Sequence, residues 1–246
     1  MKDATRRRVI VLVATVLTMA LTARLGIWQL SRASQKEALQ ASLDVRGSMP
    51  ALDAELLATD AANAALQHYR HVVLRGKWMP GATVFLDNRQ MRNGHAGFFV
   101  VTPFQLAASN DVVLVQRGWA PRDIRDRTIL PQVPTPAGVV DVHGQIAPPP
   151  GRLFEFSGAA SGVIRQNLDL AEFSRELGVK LRPLSVLQAD VPGAVPDGLL
   201  RQWPRPAADV QKHYGYAFQW FALSALMAVL YVWFQFIAPR RKSPHA

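Results

Sequence analysis

Two long apolar runs bracket the chain, and between them short hydrophobic stretches alternate with polar turns. The later run is the clearer: from Phe218 to Phe236 there is no formal charge, no Pro and no Gly. At 1.5 Å per residue those residues span roughly 28 Å as a helix, the thickness of a bilayer's hydrocarbon core. Tyr214, Tyr216 and Trp220 stand at its upstream end and Tyr231 and Trp233 at its downstream end, the placement that interfacial aromatics favour. Pro239 stops the helix, and Arg240, Arg241 and Lys242 follow at once. The earlier run, Val9 to Ala23, follows Arg6, Arg7 and Arg8. Leu21 is too large for the −3 position of a cleavage after Ala23, so the run predicts an uncleaved helix continuing to about Leu30, with Arg24 snorkelling and Trp28 at the far interface.

The positive-inside rule puts both basic ends in the cytoplasm and everything between the helices outside, in the periplasm of a bacterial chain. The expected division is 1–30 for the first tail and membrane helix, 31–211 for the outer domain, and 212–246 for the second membrane helix and its basic tail. Ser31 to Leu43 continues helically, and Leu52 to Leu66 is Ala- and Leu-rich with helical spacing. From Tyr69 the pattern turns to strands, at 71–78, 83–90, 97–106 and 111–119. Pro80-Gly81, Asn93-Gly94 and Asn110-Asp111 supply the turns. After the Pro-rich crossing 130–138, further strands are expected at about 139–146, 153–157, 163–168 and 184–190. One helix interrupts them, with Asp169 as N-cap, Glu172 as its capping-box partner and Gly178 as its stop. The fold class is thus an α+β membrane protein: two transmembrane helices flanking a periplasmic antiparallel β-sheet or small barrel with a few helices.

Charge sharpens that picture. A formal +10 over 246 residues would suggest nucleic acid in a soluble protein, but +3 lies in each terminal segment and +4 is spread thinly between. The basicity is mostly topological, and no nucleic-acid partner is expected. The absence of cysteine excludes disulfides, thiolate metal sites and covalent c-type haem attachment.

Few residues carry chemistry. His213, Ala217, Trp220 and Ser224 share one face of the second membrane helix, with His213 at its outer end. His213 is either an interfacial anchor or a metal or haem ligand at the membrane surface. His68 and His71 have HxxH spacing but straddle a helix-to-strand junction, so they need not share a face. The Gly-rich 156–162 lacks the Lys that would face a phosphate and reads as a turn. Asp87 with Arg89, and Asp123 with Arg125, Asp126 and Arg127, read as solvated loop charges ahead of an acid-base pair. Arg117, Gly118 and Trp119, in "QRGWAPRD", put a guanidinium and a large aromatic at a strand end. They form either a partner-binding edge or a Trp cap on the core beside a Gly needed for the bend.

"LGIWQLSR", "HVVLRGKW", "LDNRQMRNGHAGFFVVTPFQL", "VVLVQRGWAPRD", "LLRQWPRP" and "KHYGYAFQWF", in that order and between two membrane helices, resemble the surfeit-locus family of cytochrome c oxidase assembly proteins. The resemblance covers about Leu25 to Trp233. Gln116 departs from the expected Asn, and 44–66 matches nothing. The resemblance implies a chaperone and not an enzyme, one that binds haem a and assists its insertion into cytochrome c oxidase subunit I. It implies His213 and Trp220 as the haem a contacts, and subunit I, haem a synthase and the lipid bilayer as partners. A scaffold that never touches haem is the alternative. A copper chaperone is disfavoured by the missing thiolates, and a periplasmic enzyme by the lack of a nucleophile and base.

Overall fold

The computed structural model describes residues 2–90, 94–123, 125–126, 128–154, 162–204 and 209–238. The chain forms two compact units, Met1–Ser42 with Arg205–Ala246, and Leu43–Pro204. The first is helical. Helix α1 runs unbroken over Lys2–Ser48, and α4 covers Val210–Val232 before a π-helical turn over Trp233–Ile237. Both are long and apolar enough to cross a membrane. The unit boundary falls at Leu43, within α1, which continues for several turns past Leu30.

The second unit contains eight strands: β1 (Leu52–Asp53), β2 (His71–Trp78), β3 (Val84–Gln90), β4 (Ala96–Leu106), β5 (Val112–Pro121), β6 (Val140–Ala147), β7 (Ile164–Arg165) and β8 (Leu181–Gln188). Strand β2 pairs with both β6 and β4, so β2, β6, β8, β5 and β4 close into a ring. Val72, Leu74, Phe104, Leu106, Val113, Val115, Val142, Ile146, Leu184 and Val186, drawn from all five ring strands, form one buried cluster. Each such side chain contributes roughly 1.5–3 kcal/mol by leaving water. Gly76 sits where β2 pairs with both neighbours, and a Cβ there would lie 2.0 Å from the Gln105 carbonyl oxygen. Only glycine allows that approach.

The sheet is mainly antiparallel, but β5 and β8 pair in parallel. An odd number of strands cannot alternate direction around a closed ring, so five strands require at least one parallel pair. Two further short parallel pairings, β1 with β2 and β3 with β7, extend the ring.

The expected helix over 52–66 is instead β1, a 3-10 turn at Ala54–Leu56, and α2 at Ala61–Gln67. Leu52 and Leu57 are drawn into the core, and Asp60 starts a fresh helix by accepting from the Asn63 N–H at 3.0 Å. Helix α3 (Leu170–Leu177) keeps its caps: Asp169 accepts from the Ala171 and Glu172 N–H groups, and Gly178 takes the left-handed conformation with φ 65°. No strand forms at Leu153, whose N–H and carbonyl are held by the Asn167 side chain at 2.7 and 2.9 Å in place of a ladder. Residues 155–157 of that expected strand, Asn93 of the Asn93-Gly94 turn, 156–161 of the Gly-rich segment, Arg127, and Pro239 with Arg240, Arg241 and Lys242 lie outside the described residues.

Candidate functional site

The stripe His213, Ala217, Trp220, Ser224 on α4 faces α1. The His213 Nδ1 lies 2.8 Å from the Gln29 Oε1, Ala217 is buried, and the Ser224 Oγ donates to the Met19 carbonyl at 3.3 Å. One turn beside them the Phe221 ring covers Gly26, where a Cβ would come within 2.8 Å of the ring. Tyr214 donates from its hydroxyl to the Glu37 Oε1 at 2.8 Å. These contacts make α1 and α4 antiparallel neighbours, so the start of α1 and the end of α4 lie at the same end of the pair. Small residues at the seam are what close helix approach in a membrane requires.

The amide oxygen of Gln29 can only accept, so the His213 Nδ1 is placed to donate to it, and the neutral ring that does so keeps its lone pair on Nε2. An imidazole held through one nitrogen and basic at the other is the donor arrangement that metal-ligating histidines adopt. A ring held in this way would be able to ligate a metal ion, a haem iron included, through Nε2. Trp220 is half-buried on the same stripe, seven residues on and about 10 Å along the helix axis. Neither Gln29 nor Glu37 carries a signal in the sequence around it. Their partners lie 184 and 177 residues away, so no local periodicity could reveal them.

In the barrel, β5 is not a sheet edge: it lies between β4 and β8. Val100 faces Gly118 and Val101 faces Gln116, which leaves Arg117 as the extra residue of a β-bulge. Its side chain, 2% exposed, donates to the Thr135 hydroxyl and the Pro134 carbonyl, both at 2.7 Å, and stacks 4.7 Å over the Trp78 ring. Burial holds its pKa below the ordinary arginine value; Asp197 opposes that shift and Arg201 adds to it. Trp119, 3% exposed, exchanges backbone hydrogen bonds with Leu200 and donates from Nε1 to the Arg89 carbonyl at 2.9 Å. Gly118 is buried against Leu199. The partner-binding edge expected at Arg117, Gly118 and Trp119 is thus a buried central strand. Arg117 lines a cavity beside that strand.

That cavity, about 960 Å³, is lined by Trp78, Arg117, His143, Asp190, Asp197 and Arg201 among others. Arg201 donates from Nε to the Arg117 carbonyl at 2.7 Å and pairs with Asp190 at 2.7 Å and with Asp197. Asp197 also lies 3.9 Å from Arg117. Two guanidinia and two carboxylates balance one another, an arrangement that fastens the 190–201 loop to β5.

The other candidates fill structural roles. His68 caps α2 and His71 opens β2, and among the described residues no group of three His, Asp or Glu could hold a metal ion. Asp123 accepts from the Arg125 and Asp126 N–H groups, and Asp126 from Thr128, so these carboxylates shape a loop. Asp87 forms a partly exposed ion pair with Arg122 at 3.6 Å, and Arg89 donates to the Gly151 and Gln166 carbonyls.

Comparison with known proteins bears on both units. A SURF1-like protein of Rickettsia bellii is 27% identical over 218 residues, 88% of this chain and 87% of the relative. A SURF1-like protein of Drosophila melanogaster is 33% identical over 122 residues, 44% of this chain and 40% of its own. The yeast protein named cytochrome oxidase assembly protein SHY1 is 30% identical over 95 residues, 39% of this chain and 24% of its own. The model of the SURF1 family matches residues 16–225, from within α1 across the whole barrel and into α4. The chain belongs to the SURF1 family.

Proposed function

We propose that this protein is a membrane-anchored assembly factor for cytochrome c oxidase that binds haem a through His213 and assists its insertion into subunit I. The observation that carries the reading is the His213–Gln29 hydrogen bond, which sets Nδ1 against an amide oxygen and leaves Nε2 as the nitrogen open to a ligand at the head of an apolar helix pair. The name of the yeast relative supports the oxidase as the assembly served. Haem a is the cargo, and its iron supplies the Lewis acid that an imidazole lone pair satisfies. A macrocycle with a long apolar tail is costly to hold in water, and a ligand at the lipid boundary avoids that cost. Trp220 offers an indole to pack against it. The protein acts as a chaperone that holds its cargo and makes or breaks no bond in it. The bacterial inner membrane is the site of action, with both termini cytoplasmic and the barrel periplasmic, where subunit I and haem a synthase are the partners.

The test is absorption spectroscopy of the full chain, purified in detergent from cells that make haem a. A carrier gives a Soret band with haem a character. No band, in a preparation that still restores oxidase assembly to cells lacking the gene, would instead establish a scaffold that never touches haem.

A further inference from the structure

Gln29 lies on α1, a helix to which the sequence assigned only anchoring, yet its amide is the hydrogen-bond partner of the one histidine at the helix seam. Free imidazole exchanges its proton between two nitrogens, and the group bonded to one of them decides which nitrogen keeps its lone pair. The contact joins residues 184 positions apart, and the seam around it is closed by Gly26 against Phe221 and by buried Thr22 and Ala33. With the helices in contact there, the Gln29 amide is held where the ring must meet it.

We infer that Gln29 is a positioning residue that fixes the His213 tautomer and ring orientation, so that Nε2 is presented as a ready ligand and the competence of the site depends on α1 and α4 being paired. This rests on the reading of His213 as the haem ligand. A ligating histidine with its second nitrogen bonded to an acceptor is a stronger donor, and removal of such an outer partner weakens metal binding roughly 10- to 100-fold. The acceptor matters, and the volume of the side chain does not. Gln29→Met keeps the length and removes the acceptor, whereas Gln29→Glu keeps an acceptor and strengthens it.

The experiment uses the full chain in detergent micelles. Nitrogen NMR of labelled His213 without haem reads the tautomer directly, and titration with haem a reads affinity. The parent and Gln29→Glu should show the proton on Nδ1; Gln29→Met should shift it toward Nε2 and weaken haem a binding roughly 10- to 100-fold. A purely structural interhelical bond would leave the affinity of Gln29→Met at the parent value, and that result overturns the inference, as does a parent ring protonated on Nε2. His213→Ala separates the two claims. If it loses haem while Gln29→Met binds normally, only the positioning role fails; if it binds haem normally, the ligand reading fails and the inference with it.

Discussion

The Trp119 Nε1 donates to the carbonyl oxygen of Arg89 at 2.9 Å, tying the last part of β5 to the end of β3 across β4. Trp119→Phe keeps the aromatic packing and leaves that carbonyl without this donor, at a cost of about 1–3 kcal/mol. Thermal unfolding of the detergent-solubilised protein should show a lower Tm. An unchanged Tm would mean that water or a neighbour replaces the indole.

Gly118→Glu should fail in folding before function. A Cβ at 118 would lie 2.7 Å from the Leu199 Cβ and 3.1 Å from the Leu200 carbonyl, and a carboxylate beyond it would have to enter the core. The cost is about 2–5 kcal/mol. Membrane abundance should drop along with oxidase, while Gly81→Glu, where a Cβ meets nothing within 4 Å, should accumulate normally. Normal abundance of Gly118→Glu with lost oxidase would contradict the structural role.

His68 predicts a pH dependence. Burial first, and the charge of Arg46 second, hold its pKa below the ordinary 6.5, and its Nε2 is buried without a hydrogen-bond partner among the described residues. The unfolded chain therefore binds the proton more readily than the folded one. The His68 contribution is complete above 6.5 and declines as pH falls from there toward the folded-state value. His68→Phe should flatten the slope of Tm against pH in that window. A slope identical to the parent's would assign it to other groups.

Topology can be read with fusions. A phosphatase fused after Trp203, ahead of α4, should be active, and one fused after Lys242 inactive, if the basic ends of the two helices lie in the cytoplasm as the positive-inside rule expects. The reverse pattern would put His213 on the wrong face for a periplasmic partner.

These tests fall on features of unequal legibility in the sequence. Strand β2 was plain because its buried positions alternate through Val72, Leu74, Gly76 and Trp78. Helix α3 was plain because Asp169 and Gly178 are local signals. The parallel pairing of β5 with β8 was hidden, since it follows from closing a ring of five strands and not from any one segment. The burial of Arg117 was hidden too: a guanidinium reads as surface until a bulge turns it onto the Pro134 carbonyl and Thr135. In the helical unit, His213 stood out by its place at the head of an apolar run. Gln29 did not, because its meaning lies wholly in a contact with the other end of the chain.

The most direct test of the central claim is a haem a titration of the purified parent and His213→Ala. The substitution leaves the charge-free run, Trp220 and the helix length in place, so the variant should accumulate in the membrane like the parent and yet lose the haem a spectrum. Trp220→Ala should retain binding, weakened by about 1–3 kcal/mol. A His213→Ala protein that binds haem a with the parent's spectrum and stoichiometry would contradict the account.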